Sequence, residues 1–247
     1  KTLFLYDMEK VDISVVIPAY NEEKRIIPTL EKVYEYFIKR NEKFEIVVVD
    51  DGSKDNTVAS IKSFAEKCKC TGIRIIQHAK NKGKGAAVRT GVLNTTGDLI
   101  LFSDADLSTP VEEFEKLASI ITEEKYDIAI GSRSIKGSMI VVPQPFYRRL
   151  IGKMFPYLVR LIVLKNFKDT QCGFKLFTKQ AGKILFTELK TEGFAFDVEI
   201  LYRAVKKNYK VKEVPVMWIN SNLSRVNLFR DPYLMFTDLL FIRRNVL

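Results

Sequence analysis

Leu99-Ile100-Leu101-Phe102-Ser103-Asp104-Ala105-Asp106 is a short apolar run that stops on two carboxylates. Such a run reads as a strand buried on both faces, as in a parallel sheet. Carboxylates at its end are costly to desolvate unless a cation or hydrogen-bond donors compensate them. Asp104 and Asp106, at i, i+2 on an extended segment, can aim two hard oxygen ligands at one Mg²⁺ or Mn²⁺ beside a diphosphate. Taken alone, an Asp-x-Asp is more often a capping or turn pair, so its surroundings decide.

Those surroundings repeat the pattern. Upstream, residues 13–17 are a β-branched apolar run and 45–49 and 73–76 read as further strands, with another at 127–130 downstream. Between them lie helical stretches. Residues 22–39 carry Ile26, Ile27, Leu30, Val33, Tyr34 and Phe37 on one face. Asp55 reads as the N-cap of a helix bearing Val58, Ile61 and Phe64. Residues 85–94 form a short helix, and Thr109-Pro110 before Glu112 and Glu113 marks another helix start. Four βα units in series predict an α/β fold with a parallel sheet and right-handed crossovers. Ligands then bind beyond the carboxyl ends of the strands. There the sequence places Pro18-Ala19-Tyr20-Asn21-Glu22-Glu23, Asp50-Asp51-Gly52-Ser53, the Asp-x-Asp pair and Gly131-Ser132-Arg133. The basic loop Lys80-Asn81-Lys82-Gly83-Lys84-Gly85 opens a helix after the third strand. Its glycines, lysines and helix-start amides suit a phosphate, although a solvated basic turn has the same composition. It is no Walker loop, and Val88 stands where the dinucleotide fingerprint has its third glycine.

These four motifs, in this order, resemble the family 2 glycosyltransferases of the GT-A fold. The second half adds Asp169-Thr170-Gln171-Cys172-Gly173-Phe174-Lys175-Leu176-Phe177, then Phe196-Asp197-Val198-Glu199, then Asp238-Leu239-Leu240-Phe241-Ile242-Arg243. With them the chain resembles the dolichyl-phosphate β-glucosyltransferases, to which the dolichyl-phosphate mannose synthases are related. The resemblance runs from about Ile13 to Arg243. It implies a metal-dependent inverting transferase that moves a hexose, glucose from UDP-glucose, onto a dolichyl or polyprenyl phosphate. GDP-mannose as donor, or a saccharide hydroxyl as acceptor, are the alternatives. By the same resemblance, Pro18, Tyr20 and Glu22 border the nucleoside, Asp50 or Asp51 receives the base or ribose, and Lys84 lies near the diphosphate. Asp104 and Asp106 hold the metal. The mannose synthases add a glutamine two residues later, where this chain has Ser108, so water is the alternative third ligand. Arg133 and Arg148 match the residues that hold the lipid phosphate, while the serine paired with the latter is Gly152 here. Ser224-Arg225 resembles the Ser-Lys of a basic loop that closes over the site.

A lipid phosphate is largely ionised at neutral pH, since a phosphomonoester has a second pKa near about 6. It needs little help from a base. A hydroxyl acceptor would need one, and Asp197 and Glu199 are the candidates, their other reading being a cap and a solvated helix residue.

The remaining composition narrows the class. The 247 residues are 47% hydrophobic and 28% charged, with no repeat or linker, which reads as one domain. Within it, residues of about 11–133 form the nucleotide-sugar half and about 134–247 the acceptor and membrane half. The net charge of +10 favours anionic partners: nucleotides, nucleic acid or an acidic membrane face. No RNP-like or helix-turn-helix pattern supports nucleic acid. A nucleotidyltransferase would want a glycine-rich loop where Pro18-Ala19-Tyr20-Asn21 stands. A processive polysaccharide synthase would want Gln-x-x-Arg-Trp, but the one tryptophan, Trp218, follows Met217. Residues 147–164 interleave Arg148, Arg149, Lys153 and Arg160 with apolar side chains, as in a helix lying in a membrane interface; a core helix with solvated arginines is the alternative. Residues 234–247 have a similar makeup and could dock against it. The expected location is the cytoplasmic face of a membrane, endoplasmic reticulum in a eukaryote or plasma membrane in a prokaryote. The chain starts at Lys1 and is read as a fragment or processed form, with room for an anchor ahead of it. One histidine and three cysteines offer no zinc cluster, and Cys68, Cys70 and Cys172 are expected to be reduced thiols.

Overall fold

The computed structural model of the protein describes residues 11–142, 155–220 and 230–246. Each expected strand is present: β1 (Ile13–Ala19), β2 (Phe44–Asp50), β3 (Ile73–Gln77), β4 (Leu99–Ser103) and β5 (Ile128–Ser132). Helices α1 (Ile26–Lys39), α2 (Thr57–Cys68), α3 (Lys84–Leu93) and α4 (Phe114–Thr122) join them, the last after a 3₁₀ turn at Val111–Glu113. Asp55 acts from one residue ahead of the helix cap, accepting 3.0 Å from the Thr57 amide, the first residue of α2. Beyond β5 come β6 (Met139–Val142), helical residues 155–162 (α5), β7 (Phe174–Thr178), α6 (Lys179–Glu188), α7 (Phe196–Lys206), β8 (Val211–Pro215), β9 (Met217–Ile219) and α8 (Arg230–Asn245).

The main sheet runs β3-β2-β1-β4-β7-β5-β8. All its strands are parallel except β7, which runs antiparallel to both β4 and β5. The sequence predicted a parallel sheet, and the structure departs from this at β7, which lies antiparallel between β4 and β5. Phe174, Leu176 and Phe177 are fully buried, so β7 carries core on both faces. Replacing Phe177 by Ala would cost about 3–5 kcal/mol. Pro18 is tolerated near the end of β1 because the β1–β4 pairing stops at Val16.

Two apolar clusters cover the sheet, one beneath α1 and α4 and one beneath α3, α6 and α7. The second also receives Phe155, Val159 and Leu164 from and after α5, and Met235, Leu239, Ile242 and Val246 from and after α8. The docking expected of 234–247 is observed: Arg243 Nη1 donates to the Ile162 carbonyl at 2.7 Å. Both helices also expose apolar side chains, Tyr157, Leu161, Tyr233, Leu234, Phe236, Leu240 and Phe241, among polar and basic ones. Among the described residues no helix is long and apolar enough to cross a membrane. The expectation of reduced thiols fails at two positions. Lys69, in the left-handed conformation at the end of α2, turns the chain so that Cys70 bonds to Cys68, while Cys172 is free and buried.

Candidate active site

The loops after β1 and β2 are joined by reciprocal bonds. The Asn21 amide donates to Ser53 Oγ at 2.8 Å, and Asn21 Oδ1 accepts from the Lys54 amide at 2.8 Å. The Glu22 amide donates to Thr57 Oγ1 at 2.7 Å, and the Glu22 carboxylate is clasped by Arg25 at 2.6 and 2.5 Å. Asn21 adopts φ 55°, a conformation that asparagine tolerates better than most residues. Glu22 thus faces its own helix start, and Tyr20 is half-buried beside it.

Asp50 and Asp51 are both buried, but their duties differ. Asp51 accepts from His78 Nδ1 at 2.7 Å and from the amides of Lys82 and Gly83 at 2.9 and 2.8 Å. His78 continues to Thr90 Oγ1 at 2.9 Å, tying the loop to α3. Asp51 therefore holds the basic loop in place. Asp50 accepts only the longer 3.3 Å contacts from the Ser53 amide among the side-chain bonds described.

The basic loop differs from its expected form. Two of its amides, those of Lys82 and Gly83, are spent on Asp51, and the amide of Ala86, just beyond it, goes to the Glu192 carbonyl at 3.2 Å. The glycines answer to the same neighbour. A Cβ on Gly83, at φ 108°, would strike the Glu192 carbonyl, and one on Gly85 would sit 2.5 Å from the Thr191 carbonyl and 2.7 Å from Phe196 Cβ. What the loop presents to a ligand is the Lys84 ammonium, 2.7 Å from Asp104 Oδ1. Burial alone would lower the Lys84 pKa, but Asp104, then Asp197 and Asp106, outweigh it and raise it, so the ammonium stays charged.

Asp106 accepts from the Ser108 amide at 3.0 Å and has Arg25 Nη1 3.6 Å away. Each carboxylate of the pair thus faces a cation. Gly173 supplies the room: a Cβ there would overlap the Asp104 carboxyl group. Two hard oxygens at an open strand end fit Mg²⁺ or Mn²⁺, which keep several waters and add phosphate oxygens. Among the described residues no third His, Cys, Asp or Glu joins them.

Behind this pair lies a buried one, Asp197 with a lysine that the sequence reading left without a role. Lys175 on β7 donates to Asp197 Oδ1 at 2.6 Å and to the Cys172 carbonyl at 2.5 Å. A lysine inside the apolar run Phe174–Phe177 was the available signal, since a buried charge needs a partner. Both ammoniums lie near the Phe102 ring, Lys84 5.4 Å and Lys175 5.7 Å from its centroid. Burial raises the Asp197 pKa, against the pull of Lys175 and Lys84, and Asp104 adds to the rise. Glu199 is fully buried and accepts from the Lys190 and Thr191 amides at 3.0 and 2.7 Å and from Arg203 Nε at 2.7 Å. It anchors the turn that packs on Gly83 and Gly85.

Arg133 leaves β5 and meets Asp169. Nε and Nη2 donate to it at 2.7 and 2.8 Å, and the Arg133 amide at 2.9 Å. The guanidinium also lies 5.6 Å from the Trp218 ring. Burial works against its charge, but Asp169 outweighs this and raises the pKa. Arg148, Ser224 and Arg225 lie outside the described residues.

Comparison with known proteins identifies the family and the fold. Residues 14–184 match the model of Glycosyl transferase family 2. A dolichyl-phosphate beta-glucosyltransferase of Dictyostelium discoideum is 37% identical over 96% of this chain and 75% of its own length. The Homo sapiens protein of the same name is 36% identical over 97% and 77%. Among solved structures, glucosyl-3-phosphoglycerate synthase from Mycobacterium tuberculosis, in complex with Mn²⁺ and UDP-glucose, superposes with a TM-score of 0.66 at 17% identity, covering 94% of this chain and 77% of that one. The fold is that of the GT-A transferases, and the chain belongs to family 2 of the glycosyltransferases.

Proposed function

We propose that the chain transfers glucose from UDP-glucose, with inversion, to dolichyl phosphate or another polyprenyl phosphate. The observation that carries this reading is the similarity to enzymes named for that reaction through 96% of the chain. The geometry supports it. Asp104 and Asp106 would hold Mg²⁺ or Mn²⁺, which would supply charge stabilisation at the leaving diphosphate. Lys84, kept charged by its carboxylate neighbours, serves the same diphosphate. Asp50, with Pro18 and Tyr20 beside it, receives the nucleoside, and Glu22 holds that loop through Arg25. Arg133, gripped by Asp169 through Nε and Nη2, turns its remaining edge to the acceptor phosphate, with Arg148, Ser224 and Arg225.

An ionised phosphate carries the attacking lone pair, so no side chain has to remove a proton. Asp197 then supports Lys175 and Lys84, and Glu199 holds the 190–191 turn. The raised pKa of Asp197 favours a second reading, a hydroxyl acceptor with Asp197 as base. The apolar side chains exposed on α5 and α8 fit a membrane surface, and we place the reaction on its cytoplasmic side.

The decisive test offers radiolabelled nucleotide-sugars one at a time with a short polyprenyl phosphate and then extracts with organic solvent. Label from UDP-glucose should enter the organic phase. Transfer only from GDP-mannose would replace the donor, and transfer only to a free saccharide would replace the acceptor.

A further inference from the structure

Strand β6 has no buried face. Met139, Ile140, Val141 and Val142 are 58, 50, 50 and 41% exposed, although alternate residues of a strand point to opposite sides. Among the described residues it pairs with β9 alone, in parallel, as a two-stranded ribbon beside the main sheet. Ile219 of β9 is also exposed. A two-stranded ribbon is marginal in water by itself, and an all-apolar edge invites association. Yet β9 is fixed to the active site through two adjacent residues. The Ile219 amide donates 2.7 Å to the carbonyl of Ser108, two residues past Asp106. Trp218, paired with Ile140, lies against Arg133. The ribbon therefore holds an exposed apolar surface beside Arg133.

We infer that the β6–β9 ribbon enters the interfacial layer of a lipid bilayer. This rests on the lipid-phosphate reading of the acceptor proposed above. Three observations select lipid over other occupants. Both faces of β6 are apolar and exposed, which suits immersion rather than one-sided docking. A tryptophan backed by an arginine stands at the base, an arrangement that places an amphipathic ring at headgroup level. Lys136, exposed in the turn leading into β6, adds a cation where anionic headgroups would lie. With the ribbon in the lipid, the Arg133 guanidinium comes to the depth at which a lipid phosphate sits, and the acceptor need not leave the membrane to react.

Trp218 is the one tryptophan of the chain, so its emission reports the ribbon alone. The protein is mixed with vesicles of phosphatidylcholine and phosphatidylglycerol that hold no polyprenyl phosphate. Pelleting of the protein with a blue shift of Trp218, and quenching by brominated phosphatidylcholine, is the expected result. Ile140→Asp combined with Val142→Asp should weaken vesicle binding by about tenfold or more. Ile38→Asp, at an exposed position on α1, should leave it unchanged. UDP binding and turnover of a short polyprenyl phosphate in detergent should stay within about twofold in both variants. Absence of vesicle binding, or vesicle binding with Trp218 unquenched, overturns the inference. So does loss of short-chain turnover with vesicle binding intact, which would make the ribbon a site for the acceptor's own chain. A lipid-free dimer that the double substitution dissolves would name a second copy as the occupant. Vesicles without acceptor test the ribbon and the extraction assay tests the acceptor, so either can fail without the other.

Discussion

The Lys84 ammonium sits 2.7 Å from Asp104, one of the two carboxylates proposed to bind the metal. A cation already in place opposes a second one. Nucleotide relieves the conflict, because its diphosphate offers Lys84 another anion. Lys84→Met should therefore tighten Mn²⁺ binding in the absence of nucleotide by about tenfold, equivalent to about 1.4 kcal/mol. The same change should weaken UDP binding. Calorimetric titration of Mn²⁺ with and without UDP reads both effects, and equal Mn²⁺ affinity in the two proteins would contradict the competition.

Gly173 holds open the space that the Asp104 carboxyl group fills. Gly173→Ala should displace Asp104 and lower turnover by at least about tenfold, chiefly through weaker metal binding. Asp106→Ala, which removes a proposed ligand, should cost about a hundredfold or more, and EDTA should do the same to the unaltered protein. Full activity in EDTA would sink the metal assignment.

Asp197 and Glu199 separate the two acceptor readings. With a phosphate acceptor, Asp197→Asn and Glu199→Gln should reduce turnover only in part. With a hydroxyl acceptor, loss of the base should cost roughly 10²–10⁴-fold. Asp197→Asn also strips Lys175 of its buried counter-ion, which costs about 3–5 kcal/mol of stability. Turnover must be read at saturating donor and acceptor and below the variant's own melting temperature.

Glu45 links β2 to β1 and to the turn before β4. It accepts from Ser14 Oγ at 2.6 Å and from the Thr96 amide and hydroxyl at 2.6 and 2.8 Å, and it pairs with Arg74. Burial would raise its pKa, but Ser14, Thr96 and Arg74 outweigh that and hold it below the ordinary value. A lowered folded pKa stabilises above the unfolded value, about 4.3, and that stability is lost as pH falls through the folded value. Urea midpoints should drop as pH falls from about 5 to about 3, and Glu45→Gln should flatten that slope. Glu45→Ala should cost about 3 kcal/mol at neutral pH by stranding buried donors.

How much of this was legible follows from the range of the interactions involved. Residues 13–17, 45–49, 73–76, 99–102 and 127–130 announce themselves as strands because they are short runs rich in apolar residues, a local property. Their polar ends follow, since a parallel sheet gathers strand termini on one edge. The Asp-x-Asp pair was legible for that reason. Which strands are neighbours was not. Placing β7 between β4 and β5 depends on core matching between segments more than 40 residues apart, and Lys175 broke its apolar pattern. The roles of Asp50 and Asp51 are identical on paper. Tertiary structure divides them, because Lys82 and Gly83, 31 and 32 residues from Asp51, bring their amides to Asp51 alone. The glycines of the basic loop looked like accommodation for a phosphate, and the fold shows Thr191 and Glu192 filling that space from the far half of the chain. The sequence by itself determined which segments are strands and that acidic groups meet at their ends, because hydrophobic periodicity acts over a few residues. Only the tertiary structure decided which of those groups are consumed in holding the site and which remain to do chemistry, because hydrogen bonds and packing are satisfied between residues brought together by the fold.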